Sequence, residues 1–172
     1  MRVLTIGHGT RPAEELVACL STAGARTLVD VRRFPGSRRN PQFGAGVLAE
    51  TLAASGLRYV HAVELGGRRS GEPREERFAC IATRGFRSYA ARMGTPEWQD
   101  ALARALAEPA PCLMCAETAW WRCHRRLVAE LLTARGHDVV HLIAPGRAQP
   151  HRLMDEAEVR AGRLYLCGEL VA

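Results

Sequence analysis

The chain has 172 residues, of which 47% are hydrophobic and 24% charged, a composition typical of a soluble globular protein rather than a disordered one. This length suits one domain with a substantial core, so we predict a single α/β domain over residues 1–172, with a basic, partly extended tail from 145 to 172. The net charge of +6 comes from 24 arginines and no lysine. Because guanidinium groups suit phosphate and carboxylate, we expect an anionic small molecule or a nucleic acid as partner.

The sequence gives no indication of a membrane or secreted protein. Apolar runs fall short of the ~20 residues that a membrane span needs, and too few residues precede the first predicted strand for a signal peptide. We therefore predict a cytoplasmic protein without a membrane partner, in which the six cysteines are reduced. Cys19, Cys80 and Cys167 have no partner at motif spacing, and we expect Cys19 and Cys167 to be buried as small hydrophobes. The sequence is compatible with a homo-oligomer.

Strands and helices alternate along the chain. Apolar runs predict five strands, at residues 3–6, 27–31, 57–63, 112–116 and 139–143. Helical spacing predicts helices after Thr10, over 47–55, around 86–93, from Thr95 and from Trp121, and residues 165–167 are assigned a short edge strand. This alternation predicts a three-layer, Rossmann-like α/β domain with a mainly parallel sheet of about five strands flanked by helices.

Polar residues follow four of the predicted strands. Ligands of open α/β sheets bind beyond the carboxyl ends of the strands, so we expect these residues to share one edge. They are His8 with Arg11, Asp30 with Arg32 and Arg33, Glu64 with Arg68, and Cys115 with Glu117.

The stretch 32–46, RRFPGSRRNPQFGAG, predicts a long surface loop that binds anions. Its candidate phosphate ligands are Arg32, Arg33, Arg38, Arg39 and Asn40. Phe34 and Phe43 could pin the loop to the body, and either could stack a base. No dinucleotide or P-loop phosphate motif is present, and we predict no cofactor.

The turn between residues 112 and 126, CLMCAETAWWRCHRR, holds the candidate reactive groups. Cys115 or Cys123 could act as a thiolate nucleophile, with His124 or His8 as its base and Arg125 or Arg122 beside a bound oxyanion. Glu117 with Asp30 and Glu64 could instead provide a general base or bind a cation. Equally open is that the cysteines only pack and that the acids form structural pairs with Arg32, Arg68 and Arg125.

A zinc site is the third interpretation of this turn. Cys112, Cys115, Cys123 and His124 are zinc's preferred ligand types. Residues three apart on a strand point to opposite faces, so Cys112 and Cys115 should not share an ion. We therefore predict no metal site.

Several motifs together resemble one family. They are residues 5–8 (TIGH), 29–32 (VDVR) with FP at 34–35 and Ser37, 40–43 (NPQF), 59–61 (YVH), 64–68 (ELGGR), 89–90 (YA) with Met93 and TP at 95–96, 113–117 (LMCAE) and 123–126 (CHRR). On these the chain is identified as a member of the domain-of-unknown-function 488 family. The resemblance implies a Rossmann-like α/β fold and a site at these motifs, without a reaction. The segment between Arg69 and Phe86, with Cys80, departs from the family's pattern, which leaves its substrate contacts open.

Our leading hypothesis is a cytoplasmic enzyme acting on an anionic, nucleotide or nucleic-acid-derived substrate. The alternatives are a non-catalytic nucleic-acid-binding module and a metal-stabilised structural protein. The candidate catalytic residues are Glu117, Cys123, Cys115, His8 and Asp30. The candidate substrate-binding residues are Arg11, Arg32, Arg33, Arg38, Arg39, Asn40, Glu64, Arg68, His124 and Arg125.

Overall fold

A six-stranded sheet forms the centre of the computed structural model, which describes residues 1–36, 38–67 and 75–172. Its strands are β1 (Arg2–Gly7), β2 (Thr27–Asp30), β3 (Arg58–His61), β4 (Pro111–Cys115), β5 (Asp138–Ala144) and β6 (Arg147–Pro150). Their order is β3-β2-β4-β1-β5-β6, and all pairs are parallel except β5 with β6. The mainly parallel sheet is confirmed, and the antiparallel edge strand is an addition to the predicted five.

Five helices cover the two faces of this sheet. They are α1 (Ala13–Thr22), α2 (Ala45–Ala54), α3 (Arg84–Met93), α4 (Pro96–Ala107) and α5 (Arg125–Ala134). The apolar stripes of α1 and α2 pack on one face, and those of α3, α4 and α5 pack on the other. This confirms the three-layer, Rossmann-like arrangement. No helix in the described ranges is both long and apolar enough to span a membrane.

Strand alternation decides which face each cysteine of β4 reaches. Cys112 and Met114 lie in the core beneath α1 and α2, whereas Leu113 and Cys115 lie in the core beneath α3 to α5. Cys112 is therefore separated from Cys115 by the sheet itself, as the period of two in a strand requires.

A second, three-stranded antiparallel sheet follows β6. It consists of β7 (Ala157–Arg160), β8 (Arg163–Leu166) and β9 (Glu169–Leu170). The prediction of an edge strand at 165–167 was therefore wrong in its partners, because β8 pairs within this sheet instead of extending the large one. The side chains of Leu164 and Leu166 enter the core shared with α5.

The structure also corrects the prediction for Cys167. It forms a disulfide with Cys80, across a sequence separation of 87 residues, rather than packing as a free thiol. The predicted reduction of all six cysteines is wrong for this pair. The other four are free and buried, which confirms the prediction for Cys19.

The start of α5 differs from the prediction. Helical spacing from Trp121 suggested a helix there, but Trp120–Arg122 form a single 3₁₀ turn, and Cys123 is extended with φ −135° and ψ 169°. The regular helix begins at Arg125. Cys123 therefore immediately precedes the first turn, and its sulfur accepts the backbone N–H of Arg125 at 3.4 Å.

Candidate functional site

A pocket of about 770 Å³ opens at the carboxyl ends of β1, β2 and β4. Residues from all three strand ends line it, together with part of the predicted anion-binding loop at residues 32–46, called the arginine loop below. The lining residues are His8, Gly9, Thr10, Arg32, Arg33, Phe34, Gly36, Arg39, Asn40, Gly67, Cys115, Ala116, Glu117, Thr118, Cys123 and His124. The edge at which polar residues were predicted to meet thus contains a cavity the size of a small-molecule site.

Glycines allow the loops around this pocket to approach one another closely. A Cβ on Gly7 would lie 1.8 Å from the carbonyl oxygen of Glu117, and a Cβ on Gly67 would lie 2.5 Å from the His124 ring. Any side chain at these two positions would push the turn after β4 away. Gly7 and Gly67 therefore fix the position of Glu117 and His124.

Two thiols line the pocket, and one guanidinium lies directly behind them. The sulfur atoms of Cys115 and Cys123 lie 3.1 Å apart, and Nε of Arg125 donates to Cys115 Sγ at 2.9 Å. The Arg125 side chain is 1% exposed and also donates to the carbonyl oxygen of Glu117 at 2.6 Å. Within the described residues Arg125 forms no ion pair with a carboxylate. Its buried positive charge therefore faces sulfur.

The pKa values of the two thiols are shifted in opposite directions. The hydrogen bond from Cys115, followed by the charge of Arg125, lowers the pKa of Cys123 to about 6, although burial opposes this. Burial, and then the hydrogen bond to Cys123, raises the pKa of Cys115. The shifts favour Cys123 over Cys115 as the thiolate of the pair.

Arg32 lines the pocket, but its guanidinium is engaged by other groups of the protein. Its guanidinium forms a bidentate pair with Asp30, with Nε to Oδ1 at 2.8 Å and Nη2 to Oδ2 at 2.5 Å, and donates to the carbonyl oxygen of Phe43 at 2.9 Å. Asp30 is fully buried and also accepts from the Tyr59 hydroxyl at 2.8 Å. These contacts satisfy both charges inside the protein and anchor the arginine loop to β2.

His8 lines the pocket as a neutral imidazole. Its Nε2 lies 3.2 Å from Nη1 of Arg32, and since a guanidinium can only donate, Nε2 is the acceptor. Nδ1 then donates to the carbonyl oxygen of Gly9 at 2.8 Å. Burial lowers the pKa of His8 to about 4, and the ring stacks on Phe43 with centroids 4.3 Å apart. The only acceptor nitrogen of His8 is thus occupied by Arg32.

His124 differs from His8 in having an unengaged nitrogen. Burial, followed by the charge of Arg125, lowers the pKa of His124 to about 4, so this ring is also neutral. Its Nε2 is buried and has no hydrogen-bond partner within the described residues. Because a buried polar atom without a partner costs stability, His124 Nε2 is an available contact for a ligand.

Nine of the predicted site residues line the pocket. They are His8, Arg32, Arg33, Arg39, Asn40, Cys115, Glu117, Cys123 and His124. Asp30 and Arg125 lie directly behind this lining, bound to Arg32 and to the thiols.

The remaining predicted residues are placed elsewhere. Arg11 donates to the carbonyl oxygens of His8 and Ile143 and pairs with Glu15. Glu64 forms an ion pair with Arg104 at 3.1 Å. Arg38 is exposed and is not part of the lining. Arg68 lies outside the described residues.

The two phenylalanines of the arginine loop have separate positions. Phe43 is fully buried in the core beneath α1 and α2, and so pins the loop as predicted. Phe34 is 65% exposed, lines the pocket and lies 5.4 Å from the guanidinium of Arg33. An exposed ring at the mouth of a pocket is available for contact with a ligand.

The two tryptophans of the turn after β4 lie in different surroundings. Trp121 is 53% exposed. The Trp120 ring stacks on His141 of β5, with centroids 4.2 Å apart and an angle of 7°. Sequence analysis gave His141 no specific role and missed its partners Thr5, His151 and Glu130, because these contacts join residues far apart in the chain.

No metal centre is evident in the part of the chain that the structure describes. Within it, no group of three or more His, Cys, Asp or Glu side chains is arranged to hold an ion. The zinc interpretation also requires Cys112 and Cys115 on one side of β4, and they lie on opposite sides.

Comparison with known families identifies the chain. A sequence model described as "Domain of unknown function DUF488" matches residues 12–132. The chain belongs to the DUF488 family. No curated protein and no solved structure matches it. The DUF488 match includes both thiols, Glu117, Arg125 and the whole arginine loop, so the pocket lies mainly within the family's shared region.

Proposed function

We propose that this DUF488 protein is a cytoplasmic enzyme that breaks a phosphoester bond in an anionic, nucleotide-like substrate, with the Cys123 thiolate as nucleophile. The observation that carries the proposal is the buried Arg125, whose guanidinium donates to the Cys115 sulfur and whose backbone N–H donates to the Cys123 sulfur, with no carboxylate partner among the described residues. A lone buried cation is costly unless a negative charge accompanies it. A thiolate at Cys123 supplies that charge, at the edge of a ligand-sized pocket.

The other wall of the pocket supports an anionic substrate. Arg33 and Arg39 line the pocket and form no ion pair within the described residues, in contrast to Arg32. Guanidinium forks bind phosphate oxygens bidentately. The exposed Phe34 ring beside Arg33 suits a nucleobase, because every base has a π-face that can stack on an aromatic ring.

The proposed reaction has two steps. The thiolate electron pair of Cys123 attacks phosphorus, and the phosphorus–oxygen bond to the leaving group breaks with its electrons on oxygen. Glu117 lines the pocket and donates the proton that this oxygen takes up. Water, deprotonated by Glu117, then attacks the thiophosphate, which releases phosphate and restores the thiolate.

Turnover of nucleoside 5′-monophosphates and p-nitrophenyl phosphate tests this proposal. Phosphate release should occur in the native protein and fall at least about 1,000-fold in Cys123→Ala, the loss expected when a nucleophile is removed. Cys112→Ala is the matched control, since Cys112 is buried on the opposite side of β4. Equal turnover in the two variants, or no turnover of either substrate class by the native protein, would contradict the proposal.

The Glu117 carboxylate is tested separately. With p-nitrophenyl phosphate, whose leaving group needs no proton from Glu117, only the second step should become slow in Glu117→Gln, so a phosphoryl adduct on the peptide containing Cys123 should accumulate and be visible by mass spectrometry. An adduct on any other residue would remove Cys123 from the mechanism.

A non-catalytic nucleic-acid-binding module is the second candidate, favoured by the exposed Phe34 and Arg33 pair. Affinity for a nucleic acid falls steeply with salt because bound counterions are released. Electrophoretic shifts with single-stranded oligonucleotides at two ionic strengths test it. A protein that shifts no oligonucleotide at either ionic strength is not such a module.

A further inference from the structure

A line of buried polar side chains runs from the thiol pair into the interior between β1, β5 and α5. Nη1 of Arg125 donates to Thr5 Oγ1 at 3.3 Å, and Thr5 Oγ1 lies 2.7 Å from Nδ1 of His141. Arg125, Thr5 and His141 are each 1% exposed. The guanidinium that faces the thiols is therefore held from behind by a hydroxyl and an imidazole.

The line continues to a buried carboxylate. Nε2 of His141 lies 3.0 Å from Nδ1 of His151, and Nε2 of His151 lies 3.4 Å from a carboxylate oxygen of Glu130. Glu130 is fully buried and accepts the backbone N–H of Met154 at 3.2 Å on each oxygen. Three residues, Thr5, His141 and His151, thus lie between Arg125 and the Glu130 carboxylate, and the last contact, from His151 to Glu130, is an ion-pair distance without a hydrogen bond.

Arg125 can only donate, so the proton assignment of this line starts from its end and runs away from the thiols. Thr5 accepts from Arg125, His141 accepts at Nδ1 and donates from Nε2, and His151 accepts at Nδ1 and carries its proton on Nε2, which faces Glu130 without a hydrogen bond. Thr5 donates its hydroxyl proton to His141 and uses its oxygen lone pairs for Arg125. Burial, and then the neighbouring His151, lowers the pKa of His141 to about 3, which keeps its ring neutral, as this order requires.

Packing alone does not account for these residues. Buried polar groups cost stability relative to apolar ones of the same shape, and a stacked ring over Trp120 could as well be phenylalanine. What a hydroxyl and an imidazole add is a fixed direction for the guanidinium. An Arg125 side chain turned away from Thr5 would no longer direct Nε at the Cys115 sulfur.

We propose that Thr5, His141 and His151 are positioning residues, which hold the Arg125 guanidinium against Cys115 and Cys123 through a chain of hydrogen bonds that ends beside the Glu130 carboxylate. This inference rests on the proposed function only in assuming that the Cys123 thiolate is the reactive group. Its test measures the thiol itself, so it can fail while the proposed reaction stands, or hold while that reaction fails.

The rate of Cys123 alkylation by iodoacetamide, followed against pH by peptide mass spectrometry, provides the readout. The other groups around this thiol are Cys115 on β4, Arg125 and His124 at the start of α5, and Tyr89 on α3. They are unchanged in every variant used. In the native protein the rate should rise with pH through a midpoint of about 6.

Thr5→Val and Thr5→Ser form the matched pair. Valine keeps the shape of threonine but removes both hydrogen bonds, so the midpoint should rise by about one pH unit and alkylation at pH 6 should fall several-fold. Serine keeps the hydroxyl and should restore the native profile. Thermal unfolding of both variants verifies that they are folded.

His141→Phe breaks the chain at its next position while keeping a ring against Trp120. Alone it should raise the same midpoint by a smaller amount. Combined with Thr5→Val it should add little, since both changes break one chain and coupled sites are not additive. Shifts that add fully, or a Thr5→Val profile identical to the native one in a folded protein, would overturn the proposal.

Discussion

Arginines occur on two sides of the pocket, at the start of α5 and in the arginine loop, and they have different roles. At the start of α5, Arg125 is buried behind the lining and donates to Cys115, Thr5 and Glu117. In the arginine loop after β2, the guanidinium of Arg32 is likewise bound within the protein, by Asp30, whereas Arg33 and Arg39 line the cavity without an ion-pair partner among the described residues. Buried arginines shape the site, and only the accessible ones can bind an incoming anion. The two tasks can therefore be disrupted independently.

The largest expected effect is loss of stability on removal of the Asp30 charge. Asp30→Asn leaves Arg32 buried without a counter-charge, which should lower the free energy of unfolding by about 3–5 kcal/mol. Urea denaturation measures this. Asp138→Asn is the control, because its pair with Arg2 is exposed and should cost no more than about 1 kcal/mol. Similar losses of unfolding free energy in the two variants would show that the buried pair of Asp30 with Arg32 stabilises the protein no more than an exposed pair does.

Next in size is the effect of Arg125 on thiol reactivity. Arg125→Met keeps a long side chain but removes the positive charge, so the Cys123 pKa should rise by about 1–3 units. Because the thiolate is the reactive form, alkylation should then begin only at higher pH. Arg135→Met, at the other end of α5, is the control, since Arg135 donates to Gln99 rather than to the thiols. An unchanged pH profile in Arg125→Met would show that the Arg125 charge does not lower the pKa of Cys123.

A smaller effect is expected where the end of β1 touches the turn after β4. Gly7→Ala would place a methyl group against the carbonyl oxygen of Glu117, and the turn must move, at a cost of about 1–3 kcal/mol. Gly46→Ala is the control, because nothing lies within 4 Å of its Cβ position and alanine favours the helix α2. Thermal denaturation should show a lower Tm only for Gly7→Ala. Equal Tm values would mean that the turn yields without strain.

The smallest expected effect concerns the accessible wall. Arg39→Gln should weaken binding of a nucleoside monophosphate about tenfold, through loss of one charge-assisted hydrogen bond, and should leave the free energy of unfolding unchanged within about 0.5 kcal/mol. Calorimetric titration gives the affinity. Arg38→Gln, outside the lining, should bind like the native protein. If Arg38→Gln weakened binding as much as Arg39→Gln, the anion would be attracted by general charge, not held at the pocket.

Local sequence patterns predicted which residues meet at one edge of the sheet. His8, Arg32 and Cys115 each follow or end a buried strand, and parallel strands bring their carboxyl ends to one edge. The same patterns could not tell which arginines would be buried. The role of Arg32 depends on the Phe43 carbonyl and His8, which meet it only in the folded chain.

The errors in the predictions have similar causes. Residues 120–122 carry helical spacing, but the extended backbone at Cys123 interrupts it and delays α5 to Arg125. The bond between Cys80 and Cys167 spans 87 residues, a separation at which sequence gives no indication of proximity. The contact between Thr5 and His141 could not be predicted either, because these residues are 136 positions apart in the sequence.

The residue His151 gives the C-terminal part of the chain an unexpected importance. The DUF488 match ends at residue 132, yet His141 and His151 lie beyond it and Thr5 lies before it. If the chain of hydrogen bonds acts as proposed, both thiols lie inside the matched range, while their reactivity depends on residues outside it. Substitutions near the C-terminus of this chain would then change the pH at which Cys123 reacts, although they lie far from it in the sequence.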